Sequence, residues 1–524
     1  MFKYTILIFV FLFSVACQPI QGSIVRPSRL TLATSEEPST LDPQRTSEQD
    51  AQGIFGLVCE PLVYLGIDLL DHPLLAESWQ MAEDGLSLDM TLRQDVIFHD
   101  GTSMTADAVQ FTFERLKQST SINSPIYEDF QNVEITIQGE YSLQFHFDEP
   151  RQDFIETLRN PYAVIISPTA VKADEESFGR NPICTGPYKV KGWNASQYVL
   201  LERFEDYAWP RSYYENQGPA RIDEIQINFV SEHDTRYLAL LNKELDILSL
   251  STSEEVAEIN NSEDYNLYES WIGGISYLGF NYQRPPTSNS LVRQALSHAI
   301  DKETIIKTVL PRLADPAYAP LAPSILGFST DLVEHEYKYE PELSRQLLAE
   351  AGYVDSDNDG VLEKDGVPFI LDLLTTTSST YEKIFTLLQS QLQDIGVGVT
   401  LRAVPANEIS QITPTGEFDL LLYHYNWPYP SALSLFLSCE RIGASNRVAY
   451  CNEDVDTLLK EIEQLPDTAP EKIELLRQVQ VLILQDAPWQ PLLVRKQVVA
   501  ANERVQGIRI HPHGGLLLHD AFIK

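Results

Sequence analysis

Alternating apolar and polar residues predict short β-strands in the first half of the chain. Such alternation gives a strand one buried and one solvated face. It occurs at residues 29–34, 88–92, 142–147 and 221–230. Residues 106–116 have helical spacing instead, and Thr105 is suited to cap the helix N-terminus. The pattern therefore predicts strands and helices that follow one another along the chain.

The second half of the chain combines longer helical patterns with apolar strands. Residues 290–310 are predicted to form one long amphipathic helix, and further helices are predicted at 341–351, 381–395 and 471–485. Strands are predicted at 369–375 and 398–404, and the continuous apolar run 418–423 is typical of a buried parallel strand. This interleaving predicts α/β layers rather than a β-sandwich or a helix bundle.

The N-terminus has the pattern of a secretory signal peptide. Lys3 precedes the run 4–13, which is apolar except for Thr5 and is too short for a membrane-spanning helix of about 20 residues. The following sequence Ser-Val-Ala-Cys, ending at Cys17, resembles a bacterial lipoprotein processing site, in which the cysteine is lipidated. The alternative is an ordinary cleavage site with an incidental cysteine. We expect a signal peptide at 1–16, a lipid-anchored tether at 17–28 and an exported protein, on the cell membrane or in the periplasm.

Charge and composition exclude several functions. The chain has 38 Lys and Arg against 75 Asp and Glu, a formal net charge of −37. This charge repels nucleic-acid phosphates and argues against a polybasic membrane anchor. The sequence has no GxSxG, HExxH or P-loop motif, so we expect a binding protein rather than an enzyme.

Four cysteines follow Cys17, and they can pair in three ways in an oxidising compartment. Cys439 and Cys451 are twelve residues apart and enclose a turn-rich stretch, which favours a disulfide between them. Cys59 and Cys184 are the remaining pair, although Cys59 also fits a buried small apolar side chain.

A series of motifs occurs in the order and nearly the spacing of one known family. They are PLLAESW at 73–79, VIFHDG at 96–101, TADAV at 105–109, TGPY at 185–188, GFN at 279–281, VRQALSHAID at 292–301, NEDVDTLL at 452–459 and DAP at 486–488. Together they resemble the extracytoplasmic solute-binding proteins of ABC transporters, family 5, which include oligopeptide-, dipeptide- and nickel-binding proteins. The resemblance extends over about residues 30 to 524.

The resemblance implies an α/β, periplasmic-binding-protein-like fold with two lobes and a hinge (class II, or cluster C), and with an extra third subdomain. Domain I would comprise 29–65, 185–280 and 487–524, domain II 66–184 and domain III, the second ligand-binding lobe, 281–486. The chain crossings near 280 and 487 would carry the hinge. The resemblance further implies a monomer that delivers its solute to a membrane permease and catalyses no reaction.

The resemblance also suggests where a solute binds. In peptide-binding relatives, an aspartate in the segment matching 423–430 pairs with the peptide amine, but here that position is Asn426, which carries no charge. Glu37 could substitute. The full set of candidate contacts is Glu37 and Ser39 in the first-strand loop, Trp271 and Tyr277 before a domain crossing, and Tyr425, Asn426, Trp427 and Tyr429. A peptide is the first hypothesis and an oligosaccharide the second, since aromatic rings suit sugar faces. A periplasmic sensor or chaperone and a secreted hydrolase are more distant alternatives.

Two further patterns are compatible with metal binding. Asp355, Asp357 and Asp359 precede Gly360 like the start of a calcium loop, but Gly366 stands where an EF-hand has glutamate, and an Asx-rich turn is the alternative. Three histidines near the C-terminus, His511, His513 and His519, fit either a metal site or a polar loop. We expect no cofactor other than a structural calcium ion at the aspartate loop.

Overall fold

The computed structural model describes residues 27–118 and 123–524. The predicted signal peptide, the predicted lipidation site Cys17 and most of the predicted tether lie outside the described residues. Within the described ranges, no helix is both long enough and apolar enough to cross a membrane.

Strands dominate the chain as far as residue 280. In chain order the elements are β1 (Arg29–Thr34), α1 (Gln49–Phe55), β2 (Val63–Leu65), β3 (Asp71–Pro73), β4 (Ala76–Met81), β5 (Ser87–Leu92), α2 (Ala106–Leu116), β6 (Val133–Gly139), β7 (Ser142–Phe147), α3 (Phe154–Leu158), α4 (Pro168–Ala173), β8 (Tyr188–Asn194), β9 (Tyr198–Arg203), β10 (Glu224–Phe229), α5 (His233–Leu241), β11 (Ile247–Leu250), α6 (Ser253–Asn260), β12 (Tyr265–Trp271) and β13 (Ser276–Phe280).

Helices dominate from residue 281 until the C-terminal strands begin. The elements are α7 (Pro285–Ser288), α8 (Ser290–His298), α9 (Lys302–Val309), β14 (Ala314–Pro316), α10 (Pro341–Glu350), β15 (Glu363–Lys364), β16 (Val367–Pro368), β17 (Ile370–Thr376), α11 (Ser379–Gln393), β18 (Gly398–Val404), α12 (Ala406–Ile412), β19 (Leu420–His424), α13 (Ala432–Leu437), α14 (Glu453–Glu463), α15 (Pro470–Asp486), β20 (Trp489–Asn502), β21 (Val505–Gln506), β22 (Arg509–Ile510), β23 (Leu516–Leu517) and β24 (Phe522–Ile523).

Two four-stranded sheets form the first lobe. One has the order β1-β10-β9-β8, with β1 parallel to β10 and the other pairs antiparallel. The other has the order β4-β5-β7-β6 and is antiparallel throughout. Alternate residues of β5 and β7 are buried, including Leu88, Met90, Leu143 and Phe145. The alternation in the sequence at 88–92 and 142–147 therefore corresponds to strands with one buried face.

The second lobe has a sheet that is covered on both faces. β17 runs parallel to β18 and β19, and β13 pairs antiparallel with β19. Leu420 and Leu422 of β19 pack in one core with α8, α10 and α11, whereas Leu421 packs in the opposite core with α13, α14 and α15. Burial on both faces explains why the run 418–423 is continuously apolar.

The long strand β20 joins the two lobes. Its second half pairs with β11 and β12 of the first lobe, and its first half pairs with β13 and β14. Because β13 also pairs with β19, the chain passes from strands of the first lobe to strands of the second lobe between Trp271 and Ser276. It returns to the first lobe within β20, near Arg495. β13 and the start of β20 hydrogen-bond within the second lobe, and the expected domain boundaries near 280 and 487 stay a prediction.

One predicted helix is divided, and four cysteines are paired. The stretch 290–310 forms α8 and α9 instead of one helix, because Asp301 caps α9 through its side chain, which accepts from the Thr304 backbone at 3.0 Å. The structure contains the disulfides Cys59–Cys184 and Cys439–Cys451, with Cα–Cα distances of 4.9 and 4.6 Å. The second pair is the one favoured by its spacing in the sequence.

Candidate ligand-binding cavity

A cavity with a volume of about 750 Å³ lies between the two lobes. Small-molecule sites typically span about 300–1,000 Å³, so this volume suits a solute of a few residues. Leu32, Ala33 and Thr34 of β1 and several residues of α1 line one side, and Pro428 and Tyr429 of the second lobe line the other. β1 and the segment after β19 thus both reach the cavity, whereas Glu37 and Ser39, in the loop after β1, are not among its lining residues.

The segment after β19 reaches the cavity because of the strand arrangement. β17 and β19 are parallel and end at the same edge of their sheet, which is where open α/β sheets bind ligands. The Tyr429 ring lies 5.8 Å from the His513 ring, centre to centre, and 4.8 Å from the Arg159 guanidinium carbon. Burial raises the pKa of the Tyr429 hydroxyl, which is therefore neutral at pH 7. Of the predicted contacts, Tyr429 is the one whose side chain the structure places at the cavity wall.

Arg159 connects the lobes at the cavity. Its side chain, only 3% exposed, forms an ion pair with Asp71, and its nitrogens lie 3.7 Å from the carboxylates of Glu156 and Asp467. Asp467 belongs to the second lobe, whereas the other partners belong to the first. Burial raises the pKa of Glu156 to about 7, against the lowering effect of Arg159. Arg159 is therefore surrounded by carboxylates of the protein itself.

Tyr425 and Tyr277, two of the predicted contacts, have buried rings that pack in the core of the second lobe. The Tyr425 ring is 5% exposed, packs against Phe436 and Trp489, and donates its hydroxyl hydrogen to the Pro320 carbonyl at 2.6 Å. Tyr277 is 3% exposed and stacks on Trp489 at 4.2 Å. Both rings complete the core behind the cavity, because β13 and β19 bury both of their faces.

Trp427 and Asn426 stand at the surface near the cavity. Trp427 is 39% exposed, contacts the Tyr429 ring edge-to-face at 5.9 Å and donates from Nε1 to the Ser431 hydroxyl at 2.9 Å. Trp427 therefore packs against Tyr429, which lines the cavity. Asn426 lines a smaller pocket of about 390 Å³, together with Ser276 and His424.

Glu37, Ser39 and Trp271 are bound to other protein groups. Glu37 accepts hydrogen bonds from Trp193 Nε1 at 2.7 Å and the Ser196 backbone at 2.8 Å, and the Ser196 bond is the main cause that lowers its pKa. Ser39 binds Glu48 through both its hydroxyl and its backbone N–H. Trp271 donates to the Asp315 carboxylate at 2.9 Å. The oxygens of Glu37 are thus engaged on the first lobe, and its role as a substitute for the missing aspartate stays a prediction.

Comparison with known proteins places this architecture in one family. The family model for bacterial extracellular solute-binding proteins, family 5, matches residues 72–442. The chain belongs to this family. The glutathione-binding protein GsiB of Salmonella typhimurium is 27% identical to this family 5 protein over 507 residues, which cover 94% of each chain.

Solved structures agree with that assignment. HbpA2 from Haemophilus parasuis superposes on this family 5 protein with a TM-score of 0.83 at 25% identity. The superposition covers 95% of this chain and 100% of the HbpA2 chain. A dipeptide-binding protein from Pseudoalteromonas, solved with Met-Leu, gives a TM-score of 0.66 at 25% identity, with the same coverage. The chain is accordingly an extracellular solute-binding protein with the two-lobed α/β fold that the resemblance implied.

The aspartate loop of this family 5 protein brings four carboxylates together. Oxygens of Asp355, Asp357, Asp359 and Glu363 all lie within 4.8 Å of one another. Glu363, on β15, was missed in the sequence because an EF-hand places its glutamate later, at the position of Gly366. Calcium binding here stays a prediction.

The C-terminal histidines are engaged with backbone groups. His511 Nε2 lies 3.0 Å from the Leu65 carbonyl oxygen, and its Nδ1 accepts from the His513 backbone at 3.1 Å. Burial lowers the pKa of all three histidines, to about 4 for His513. His511 thus has no free ring nitrogen for a metal ion, which favours the polar-loop alternative, although His511 and His513 do line the cavity.

Most polar groups of the cavity were missed in the sequence. Arg159, Arg211 and Gln497 come from three distant segments, and none stands in a recognisable motif. Only the fold shows which of them face the same space.

Proposed function

We propose that this protein captures a small peptide in the cavity between its lobes and presents it to the permease of an ABC importer. The observation that supports this most is the cavity itself, which is large enough for a peptide of a few residues and bordered by the segment after β19. Its lining is mainly apolar, with a few polar groups, as small-ligand sites usually are. Among the relatives, one is named for glutathione, a tripeptide, and one was solved with a dipeptide.

We further propose that the protein acts outside the cytoplasmic membrane as a monomer, held by a lipid on Cys17. The sequence Ser-Val-Ala-Cys after a short apolar run supports the anchor. Solute binding shifts an equilibrium between open and closed lobes, and the closed form docks on the permease. No bond is made or broken in the solute, so the protein is a receptor and not an enzyme.

Native mass spectrometry on protein purified without refolding tests the ligand class. We expect co-purified masses that correspond to short peptides. Titration calorimetry with reduced glutathione, Met-Leu and tri-alanine then gives affinities, and each peptide is expected to be recovered intact. Masses spaced by hexose units would favour the oligosaccharide alternative, and release of peptide fragments would favour a hydrolase; either result contradicts the proposal.

A further inference from the structure

Two of the three charged residues that line the cavity between the lobes are basic, although the protein is strongly negative. The charged residues in its lining are Asp50, Arg159 and Arg211, in a chain whose net charge is −37. His511 and His513 also line it, but their lowered pKa values leave them neutral at pH 7. The balance of charge in the cavity therefore depends on which of these residues already have partners.

Asp50 and Arg159 are both satisfied within the protein. The Asp50 carboxylate accepts from the Ser35 hydroxyl at 2.7 Å and from the Glu36 backbone at 2.9 Å. Arg159 is paired with Asp71 and lies near two more carboxylates, as described above. The Asp50 carboxylate therefore already has hydrogen-bond donors, and Arg159 already has carboxylate counter-ions.

Arg211 is the exception. Its guanidinium packs over the Tyr64 ring at 5.4 Å and donates one hydrogen bond, from Nη1 to the Tyr213 hydroxyl at 3.0 Å. Throughout residues 27–118 and 123–524, no carboxylate forms an ion pair with it. A guanidinium has five N–H donors in a planar fork that matches a carboxylate. Most of that capacity is unused.

The acidic group that acts on Arg211 electrostatically, Glu60, is hydrogen-bonded to other side chains. Glu60 contributes to the electrostatic environment of Arg211, but its oxygens accept from Tyr207 Oη at 2.6 Å, Trp209 Nε1 at 3.0 Å and Thr185 Oγ1 at 3.2 Å. Burial also raises the pKa of Glu60 to about 7, so the group is only partly ionised at neutral pH.

The loop that carries Arg211 is fixed before any solute binds. Tyr64 and Ser212 are joined twice, with Oη 2.8 Å from the Ser212 hydroxyl and 3.0 Å from its backbone nitrogen. Further along, the backbone N–H groups of Glu215 and Asn216 donate to Asp520. A fixed cation loses little entropy when an anion binds to it.

We propose that Arg211 binds a carboxylate of the solute, and that the solutes of this receptor must carry one. The inference rests on the proposed function, because it assigns the polar contact of the same cavity. A partly buried guanidinium without a counter-ion is unfavourable, and a bidentate carboxylate supplies both the charge and the hydrogen bonds that it lacks. A sugar or a polyamine supplies neither.

The test compares acids with amides in the full-length mature protein. Reduced glutathione, Met-Leu and tri-alanine are titrated with their carboxylates free and with their carboxylates converted to amides. We expect the wild-type protein to bind the acids more tightly by about tenfold or more. In Arg211→Gln this preference disappears, because the acids weaken and the amides do not.

Two further variants complete the test. Arg211→Lys keeps the charge without the fork and should retain part of the preference. Arg221→Gln is the matched control, since Arg221 is exposed and contacts Phe522 rather than the cavity, and it should bind like wild type. Thermal unfolding verifies that each variant is folded. If Arg211→Gln does not fold, the comparison of acids with amides in the wild-type protein decides the question.

The outcomes separate the two proposals. Equal binding of acids and amides, or an acid preference that survives in Arg211→Gln, overturns the role of Arg211 and leaves a peptide receptor. Binding of no peptide in either form overturns both.

Discussion

Replacing Arg159 by methionine should destabilise the protein strongly. The substitution keeps an unbranched side chain of similar reach but removes the cation that lies among Asp71, Glu156 and Asp467. Asp71 and Asp467 are 14% and 11% exposed at the side chain, so water cannot replace the lost partner fully. Lys472 still pairs with Asp467 at 2.7 Å in the variant, so Asp71 and Glu156 are the carboxylates that lose their cation.

The magnitude follows from the burial. Removing one partner of a buried ion pair costs about 3–5 kcal/mol. The entropy of unfolding is about 2.1 cal/mol/K per residue, or about 1 kcal/mol/K for a chain of this length, so the unfolding midpoint should fall by about 3–5 °C. Arg151→Met is the control: its carboxylate partners lie 3.7 and 3.9 Å away and are well exposed, so we expect a loss of about 1 kcal/mol or less.

The deficit should depend on pH. Burial raises the pKa of Asp71, and raises that of Glu156 to about 7 from an ordinary value of 4.5, even with Arg159 present. Without Arg159 both pKa values rise further. A carboxyl group with a raised pKa binds more protons in the folded than in the unfolded state, so its contribution to stability falls as pH rises through that window. The loss should therefore be larger at pH 8 than at pH 5.

Calorimetric unfolding of wild type, Arg159→Met and Arg151→Met at pH 5 and pH 8 checks this reasoning. Adding Asp71→Asn to Arg159→Met should restore part of the stability, because it removes a buried charge. Equal losses in the two arginine variants, or a deficit that is the same at both pH values, would refute the assignment of Arg159 as the compensating cation.

Three shorter predictions follow from the same structure. Gly274→Ala should cost at least about 1–3 kcal/mol in urea unfolding, because Gly274 has φ +105° and an added Cβ would lie 2.0 Å from the Tyr425 carbonyl oxygen, whereas Gly192→Ala, with open space, should be neutral. Trp427→Ala should weaken solute binding by about 1–3 kcal/mol in calorimetry, and an unchanged affinity would remove Trp427 from the site. Calcium at millimolar concentration should raise the thermal midpoint of wild type but raise that of Asp357→Asn less; no shift in wild type contradicts the calcium prediction.

Sequence patterns predicted the elements whose environment is set locally. β5 and β7 were predicted because a strand with one buried face has alternating apolar residues. β19 was predicted because a strand with two buried faces is continuously apolar. The break between α8 and α9 was missed although its cause, the capping side chain of Asp301, is also local, because the apolar stripe continues across it. Periodicity alone does not reveal a cap inside a continuous stripe.

The site was less predictable, because its residues meet only through the fold. The rings of Tyr425 and Tyr429 stand in one short segment and look equivalent in sequence, yet one is buried against Trp489 and the other lines the cavity. Glu37 was suggested by its place after the first strand, but Trp193, which engages it, comes from β8. Such choices depend on tertiary neighbours that no local pattern specifies.

The position of β20 has a consequence for the order of folding. This strand lies between β11 and β13 and carries pairing partners on both lobes, but it is among the last segments of the chain to be synthesised. β11 and β12 of the first lobe have no strand partner until residues 489–502 are available, and β13 lacks one of its two neighbours. Contacts between residues so distant in sequence form slowly, so we expect the connection between the lobes to form only after nearly the whole chain has been synthesised.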